Sequence, residues 1–301
     1  MLPPTLAKAD LHLLHVFSIV AKAGGFSAAQ AELNVAASTI SRQISDLETR
    51  LGMTLCERGR SGFRLTFKGE LVLRAAQRLF ASIREFSETV DGTRNKLAGH
   101  LAIAVIDNWA FNPHSPFLLG LKSFIDRAPD VSIELYSLAP ADIEIAVQDG
   151  NASLGIGVFH RPKPGLIYEQ IARERLGLYC AASHPLFGVD NPDTVEQLLS
   201  QANYAKRTYL NKSKVAEVSR NLQSNGSAHQ IEGIAHLILT GHYIGYLPEH
   251  FAQYWHSQNL IAPVAGGRFD QISEIQLVWK RGSKLNQVSQ TFTDLLRCHR
   301  S

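Results

Sequence analysis

The chain has 301 residues, of which 45% are hydrophobic and 19% charged, with a formal net charge of +3. That length suffices for two or three domains with ordinary cores, and the composition excludes a largely disordered chain. No run approaches the ~20 apolar residues of a membrane span, and the start MLPPTLAKADLHLLHVF lacks the basic region, apolar core and cleavage site of an export signal. The expected setting is the cytoplasm, with no membrane partner.

Charge is unevenly spread. Residues 41–84 hold nine Lys/Arg against four Asp/Glu, a local net of +5 on a body that is otherwise near neutral. Such a block points to a polyanion partner for one domain only. Cys56, Cys180 and Cys298 are odd in number, widely spaced and without a C-x-x-C pair. They imply neither a disulfide framework nor a zinc site, and a reducing compartment fits them.

The first element is an amphipathic helix carrying Leu11, Leu14, Phe17 and Val20, stopped at Gly24-Gly25. Ser27 stands where an N-cap would sit, and Phe26, Ala29 and Leu33 give two turns of a second helix. Asn34-Val35 breaks it. A third helix is expected from about Ala37 to Leu51, with Ile40, Ile44, Leu47 and Leu51 as one apolar stripe. At ~100° per residue, Ser38, Arg42, Ser45 and Thr49 fall opposite that stripe. Small hydroxyls and one arginine on the outer face suit the major groove, where side chains meet phosphates and base edges. Helix, tight turn and longer helix form a helix-turn-helix, although the spacing alone also fits a three-helix bundle with an idle face.

The next segment favours DNA. TLCERGRSGFRLT (54–66) reads as two short strands around Gly59 to Gly62, with Arg58, Arg60 and Arg64 along them. A basic hairpin beside a recognition helix is a wing, able to grip phosphates or the adjacent minor groove. A long helix follows, capped by Thr66. Val72, Ala76, Leu79, Ile83, Phe86, Val90, Thr93 and Leu97 recur at spacings of 4 and 3. That is an a/d seam, and the expectation is a coiled coil that pairs two copies and hence two DNA readers on an inverted repeat.

FSAAQAELNV, STISRQISDLETRLGMTLCERGRSGFRLTFKG and the helix behind them make the stretch from Leu11 to Leu97 resemble the N-terminal part of the LysR-type transcriptional regulators. The resemblance implies that Arg42 and Gln43 belong to the DNA-reading helix and Arg58, Arg60 and Arg64 to the wing. The full set of DNA-binding candidates is Ser27, Ala37, Ser38, Thr39, Ser41, Arg42, Gln43, Ser45, Arg58, Arg60 and Arg64. Family members usually carry Ser-Gln where this chain has Ala36-Ala37; an alanine cannot bond a base edge as glutamine can, and apolar contact with a thymine methyl is the alternative there.

From residue 99 the pattern becomes α/β. Strands are expected at 101–106, 131–137 and 153–158, with helices near 116–127 and 139–149. A second set comprises strands at 166–172 and 175–183, helices near 213–224 and 231–240, and a strand at 243–247. A strand at 273–281 and a helix from Leu285 to Cys298 close the chain. Two lobes with crossings at 160–165 and 265–271 follow from this order, with a ligand cleft between them. The LysR resemblance extends here through LYCAASHPL and LTGHYIGYLPEHFA. It implies an effector-binding domain of periplasmic-binding-protein type and, with the paired readers, a homodimer or homotetramer.

Cleft candidates are Asp107, Asn108, Trp109, Phe159, Lys206, Thr208, Tyr209 and Gln230, with Arg207 beside them. A lysine or arginine there would hold a carboxylate, and Trp109 and Phe159 would flank an apolar group. The domains expected are a winged helix-turn-helix over 1–66, a dimerising helix over 67–98 and a two-lobed α/β unit over 99–301. Lobe I would take 99–160 and 272–301, and lobe II 165–266. Motifs of the common hydrolases, nucleotide-binding folds and zinc enzymes are missing from the sequence. The reading is therefore a regulator of double-stranded DNA switched by a small-molecule effector, without cofactor or metal. An α/β enzyme with an accessory helix-turn-helix is the alternative, and a solute-binding protein is disfavoured by the lack of an export signal.

Overall fold

A computed structural model describes residues 8–59, 62–92, 97–208, 223–282 and 285–300, which divide into an N-terminal unit ending near Ser87 and a larger C-terminal unit. In the first, α1 (Lys8–Ala23) packs on α2 (Phe26–Leu33) and α3 (Ala37–Leu51). Phe17, Val20, Ala29, Ile40 and Ile44 are fully buried between them. Asn34 ends α2 in the left-handed region at φ 52°, and Gly52 ends α3 there at 66° with the Met53 N–H bonded back to the Glu48 carbonyl. Ser27 is not the cap of α2. Gly25 holds that place at φ 153°, a conformation side chains rarely adopt, and Ser27 lies exposed inside the first turn.

The wing is an antiparallel hairpin of β1 (Cys56–Gly59) and β2 (Gly62–Leu65), as expected. The next helix, α4 (Phe67–Gly92), starts where Thr66 Oγ1 accepts the Gly69 N–H at 2.9 Å. A Cβ on Gly69 would meet the Leu55 carbonyl at 1.9 Å, so only glycine lets α4 press against the segment leading into β1. The expected dimer seam needs correction. Ala76 is 2% exposed within the α1–α3 core, and Val72 and Leu79 are half-buried against it. The apolar repeat of the helix's first half thus faces its own domain. Ile83 and Phe86 stay 40% and 70% exposed. The Val90 side chain and Thr93 fall outside the described residues, and Leu97 lies beyond the helix, packed on the core of the C-terminal unit.

Among the described residues that unit is built on a nine-stranded mixed sheet. β3 (Gly99–Val105) lies parallel between β4 (Val131–Ser137) and β5 (Leu154–Gly157). With α5 (Pro116–Arg127), α6 (Pro140–Asp149) and the closing helix, they enclose the core of lobe I. Lobe II has α7 (Pro192–Gln201), β7 (Asn203–Arg207), β8 (Gln223–Ala228), α8 (Ile231–Leu239), β9 (Tyr243–Pro248) and α9 (Glu249–His256). β7 pairs in parallel with both β8 and β9. The helix expected near 213–224 mostly lies outside the described residues, but Gln223 and Ser224 belong to β8.

The lobes are joined differently from the expectation. β6 (Leu166–Ala181) is a single strand of 16 residues where two were expected. It runs antiparallel to β11 (Gln271–Lys280), while β10 (Ile261–Pro263) edges it. β11 also pairs with β5 of lobe I, and β6 with β9 of lobe II. Ile171 and Ala172 belong to the core of lobe I and Leu178 and Cys180 to one core of lobe II. The crossing therefore falls inside the strands, around Arg173–Arg175 and Ser273–Glu274, not in the loops at 160–165 and 265–271. A bulge between Ile275 and Gln276 marks the place. α10 (Gln287–Cys298) completes lobe I, burying Val288, Phe292 and Leu296 against α5.

Candidate nucleic-acid interface and effector cleft

Helix α3 buries Ile40, Ile44 and Leu47 and leaves Ser38, Thr39, Arg42, Ser45, Asp46 and Thr49 exposed. The stripe and the outer face come from the same 100° repeat, so fixing one in the core presents the other to solvent. Ala37 and Ser41 are half-buried. Gln43 is also half-buried, and its amide nitrogen lies 3.1 Å from His12 Nε2 on α1. Arg50 reaches Asp10 at 2.9 Å, a second tie between α1 and the reading helix.

Sequence reasoning missed Glu48. Its Oε1 accepts the backbone N–H of Leu55 at 2.7 Å and of Cys56 at 3.2 Å. One carboxylate thereby sets the angle between recognition helix and wing. The wing side is further held by the edge-on pair of Phe26 and Phe63, 5.6 Å between centroids. Arg64 is exposed, and its guanidinium lies 2.6 Å from Glu57 across the hairpin, which raises its pKa. Arg58 stands on β1 with its side chain outside the described residues, and Arg60 lies wholly outside them.

In the C-terminal unit the candidate positions come from strand C-terminal ends, the usual ligand edge of open α/β sheets. Asp107 and Asn108 follow β3, Arg207 ends β7, and Gln230 precedes α8. Asp107 crosses to lobe II with both oxygens. Oδ1 takes Arg207 Nη2 at 2.5 Å, and Oδ2 accepts the Ile231 N–H at 2.6 Å in the first turn of α8. Asn108, left-handed at φ 65°, lies 3.0 Å from His250 Nε2 on α9. Trp109 is buried beside Phe117 and lines the same cavity as Glu174 of β6.

Glu174 and His250 were not among the expected residues. An acid between Arg173 and Arg175 in the middle of a strand was the available signal. Burial pushes the Glu174 carboxyl up to about 7, a rise only partly offset by Arg207 and the Trp109 indole and reinforced by Asp107. His250 Nδ1 is 3.7 Å from it, and burial holds that imidazole below its ordinary value. A cavity of about 210 Å³ opens here, lined among others by Trp109, His114, Arg173, Glu174, Arg175 and His250.

Of the other expected cleft residues, Thr208 Oγ1 lies 3.0 Å from His229 Nδ1, Lys206 is half-buried on β7 and Gln230 is exposed. Tyr209 falls outside the described residues. Phe159 is buried in the core of lobe I, edge-on to Tyr168, and is not among the residues lining this cavity. Among the described residues no cluster of three His, Cys, Asp or Glu could hold a metal, and no single helix is long and apolar enough to cross a membrane.

Comparison with known proteins agrees with both halves. Residues 11–70 match the family model of the bacterial regulatory helix-turn-helix protein, lysR family, and residues 94–301 match the LysR substrate binding domain. The chain belongs to the LysR family of transcriptional regulators. It is 35% identical over 286 residues to the HTH-type transcriptional activator BauR of Pseudomonas aeruginosa, covering 95% of this chain and 93% of that relative. A full-length structure of the LysR regulator CbnR with its target DNA has the same fold, at TM-score 0.67 and 21% identity, with 96% and 99% of the two chains covered. A full-length OxyR variant from Pseudomonas aeruginosa matches at TM-score 0.63 and 18% identity over 95% and 94%. This LysR chain is thus a DNA-binding transcriptional regulator with an effector-binding domain, and not an enzyme.

Proposed function

We propose that this regulator acts in the cytoplasm as a homodimer or homotetramer on a pseudo-palindromic promoter site. A small-molecule effector enters between the two α/β lobes and alters how they close. The observation that carries the DNA half is the outer face of α3. Ser38, Thr39, Arg42 and Ser45 are exposed on a helix whose opposite side is fully buried. Arg42 reads a base edge, and Arg58, Arg60 and Arg64 hold the backbone from the wing. Exposed Ile83 and Phe86 on α4 supply the self-association surface.

The effector shifts the regulator only through unequal affinity for the two lobe arrangements. The convergence of Asp107, Glu174, Arg207 and His250 at the strand edge supports the cleft as its place. The DNA role is tested on full-length protein by fluorescence anisotropy, using duplexes selected from a random pool. Arg42→Ala should weaken the selected site by about 1–3 kcal/mol, roughly 5- to 150-fold, while random duplex is bound nearly as before. Equal affinity for the selected duplex in parent and variant removes Arg42 from the reading role.

A further inference from the structure

Lobe II holds the makings of a carboxylate site: the Arg207 guanidinium at the end of β7 and the backbone N–H of Ile231 opening the nine-residue α8. Both donors converge on one carboxylate, and that carboxylate belongs to the protein. Asp107 of lobe I spends one oxygen on each, at 2.5 and 2.6 Å. The pair is largely withdrawn from solvent, with the Arg207 and Asp107 side chains 12% and 14% exposed. Resting on the reading of this cleft as the effector site, we propose that the cleft is self-liganded. Asp107 is a tethered anion that fills the lobe II cradle and holds the lobes together before any effector arrives.

Three features make this more than a surface ion pair. The contact joins residues 124 positions apart in sequence and bridges two separate cores, so it reports lobe closure and not local folding. The carboxylate bridges a guanidinium and the positive end of a helix, two donors of the kind that bind an exogenous carboxylate. The adjacent Asn108, turned left-handed, makes a second bridge to His250 of lobe II. The loop after β3 thus enters lobe II as a ligand would, carboxylate foremost. An external anion reaches Arg207 and α8 only by displacing Asp107, and the energy it recovers there is reduced by the contact it breaks.

The test is chemical rescue in the full-length protein. Asp107→Ala removes a carboxylate the size of formate. Thermal unfolding is followed over a series of sodium formate concentrations, with sodium chloride at equal ionic strength as the reference. The variant should unfold at a lower temperature than the parent. Formate should restore it saturably as a ligand bound only by the folded state does, whereas the parent, whose cradle is occupied, should show no formate effect beyond chloride. Adding Arg207→Met to Asp107→Ala should abolish the rescue. Asp107→Asn, which keeps the volume but not the charge, should also unfold earlier and gain nothing from formate, and it serves if the alanine variant does not fold.

An unchanged unfolding temperature in either Asp107 variant overturns the proposal. So does a formate shift no larger in Asp107→Ala than in the parent, or one that survives loss of Arg207. Those results leave the cleft reading itself standing, because an effector screen on the parent protein judges that separately.

Discussion

Glu174→Gln isolates the buried carboxyl at the lobe crossing. In the folded protein burial raises that carboxyl to about 7 from an ordinary 4.5. The folded state then keeps a proton that the unfolded chain has released, so stability falls as pH rises from about 4.5 to about 7. The gap of ~2.5 units, at ~1.36 kcal/mol each, corresponds to roughly 3 kcal/mol lost across the window. His250 acts with the opposite sign. Its imidazole is lowered by burial, so the folded state sheds a proton early and gains stability as pH rises toward the ordinary histidine value of 6.5.

The glutamine variant keeps His250 and all other titrating groups, so the difference between the two stability–pH curves belongs to Glu174. Denaturant unfolding of parent and variant, followed by tryptophan fluorescence at about one-unit steps from pH 5 to pH 8, measures it. The parent should fall relative to Glu174→Gln by about 3 kcal/mol toward neutral pH, and level off above it. Parallel curves would refute the reasoning, because they would mean that Glu174 ionises in the folded protein as easily as in water.

Two further outcomes concern the N-terminal unit. Glu48→Ala deprives the Leu55 and Cys56 N–H groups of their shared charged acceptor and should destabilise that unit by roughly 2–5 kcal/mol, weakening DNA binding as the wing loses its angle. Denaturation together with anisotropy checks this, and intact stability would show that water replaces the carboxylate without cost. Ile83→Ser with Phe86→Ser should raise the dissociation constant for self-association about tenfold or more per residue, from ~1.5–3 kcal/mol of lost apolar burial each, with no change in unfolding of the monomer. Sedimentation velocity over a concentration series decides it; an unaltered association places the interface elsewhere.

The helix-turn-helix and wing were legible because their signals are local. The 4-3-4 spacing of Ile40, Ile44, Leu47 and Leu51 states the period, Gly52 and Asn34 supply left-handed stops, and Thr66 caps the next helix. The DNA-facing set follows from geometry on one helix, so Arg42 and Ser45 needed no knowledge of distant residues. The same rule placed α5 from residue 116 to 127, where Ser115 caps and Pro116 begins it. Such a signal was also present at α7, where an Asn191 cap is followed by Pro192, yet that helix was passed over.

What the periodicity of α4 left open is which partner its apolar side meets, since a seam facing the same chain and one facing another copy have the same spacing. Packing settled it for the first half of the helix, burying Ala76 among α1–α3 with Val72 and Leu79 against the same core. β6 was divided in expectation because the polar run Arg173-Glu174-Arg175 reads as a break; in the sheet it marks the step from one core to the next. The cleft depended most on tertiary structure. That Asp107 is adjacent to Arg207 and Ile231, and Glu174 to Trp109 and His250, follows from the path of β6 and β11 between lobes. Hydrophobic period and capping chemistry act over a few residues and can be read in order along a chain. Meetings between residues far apart in the chain, and the loss of hydration that moves a buried carboxyl, exist only once the sheet has closed.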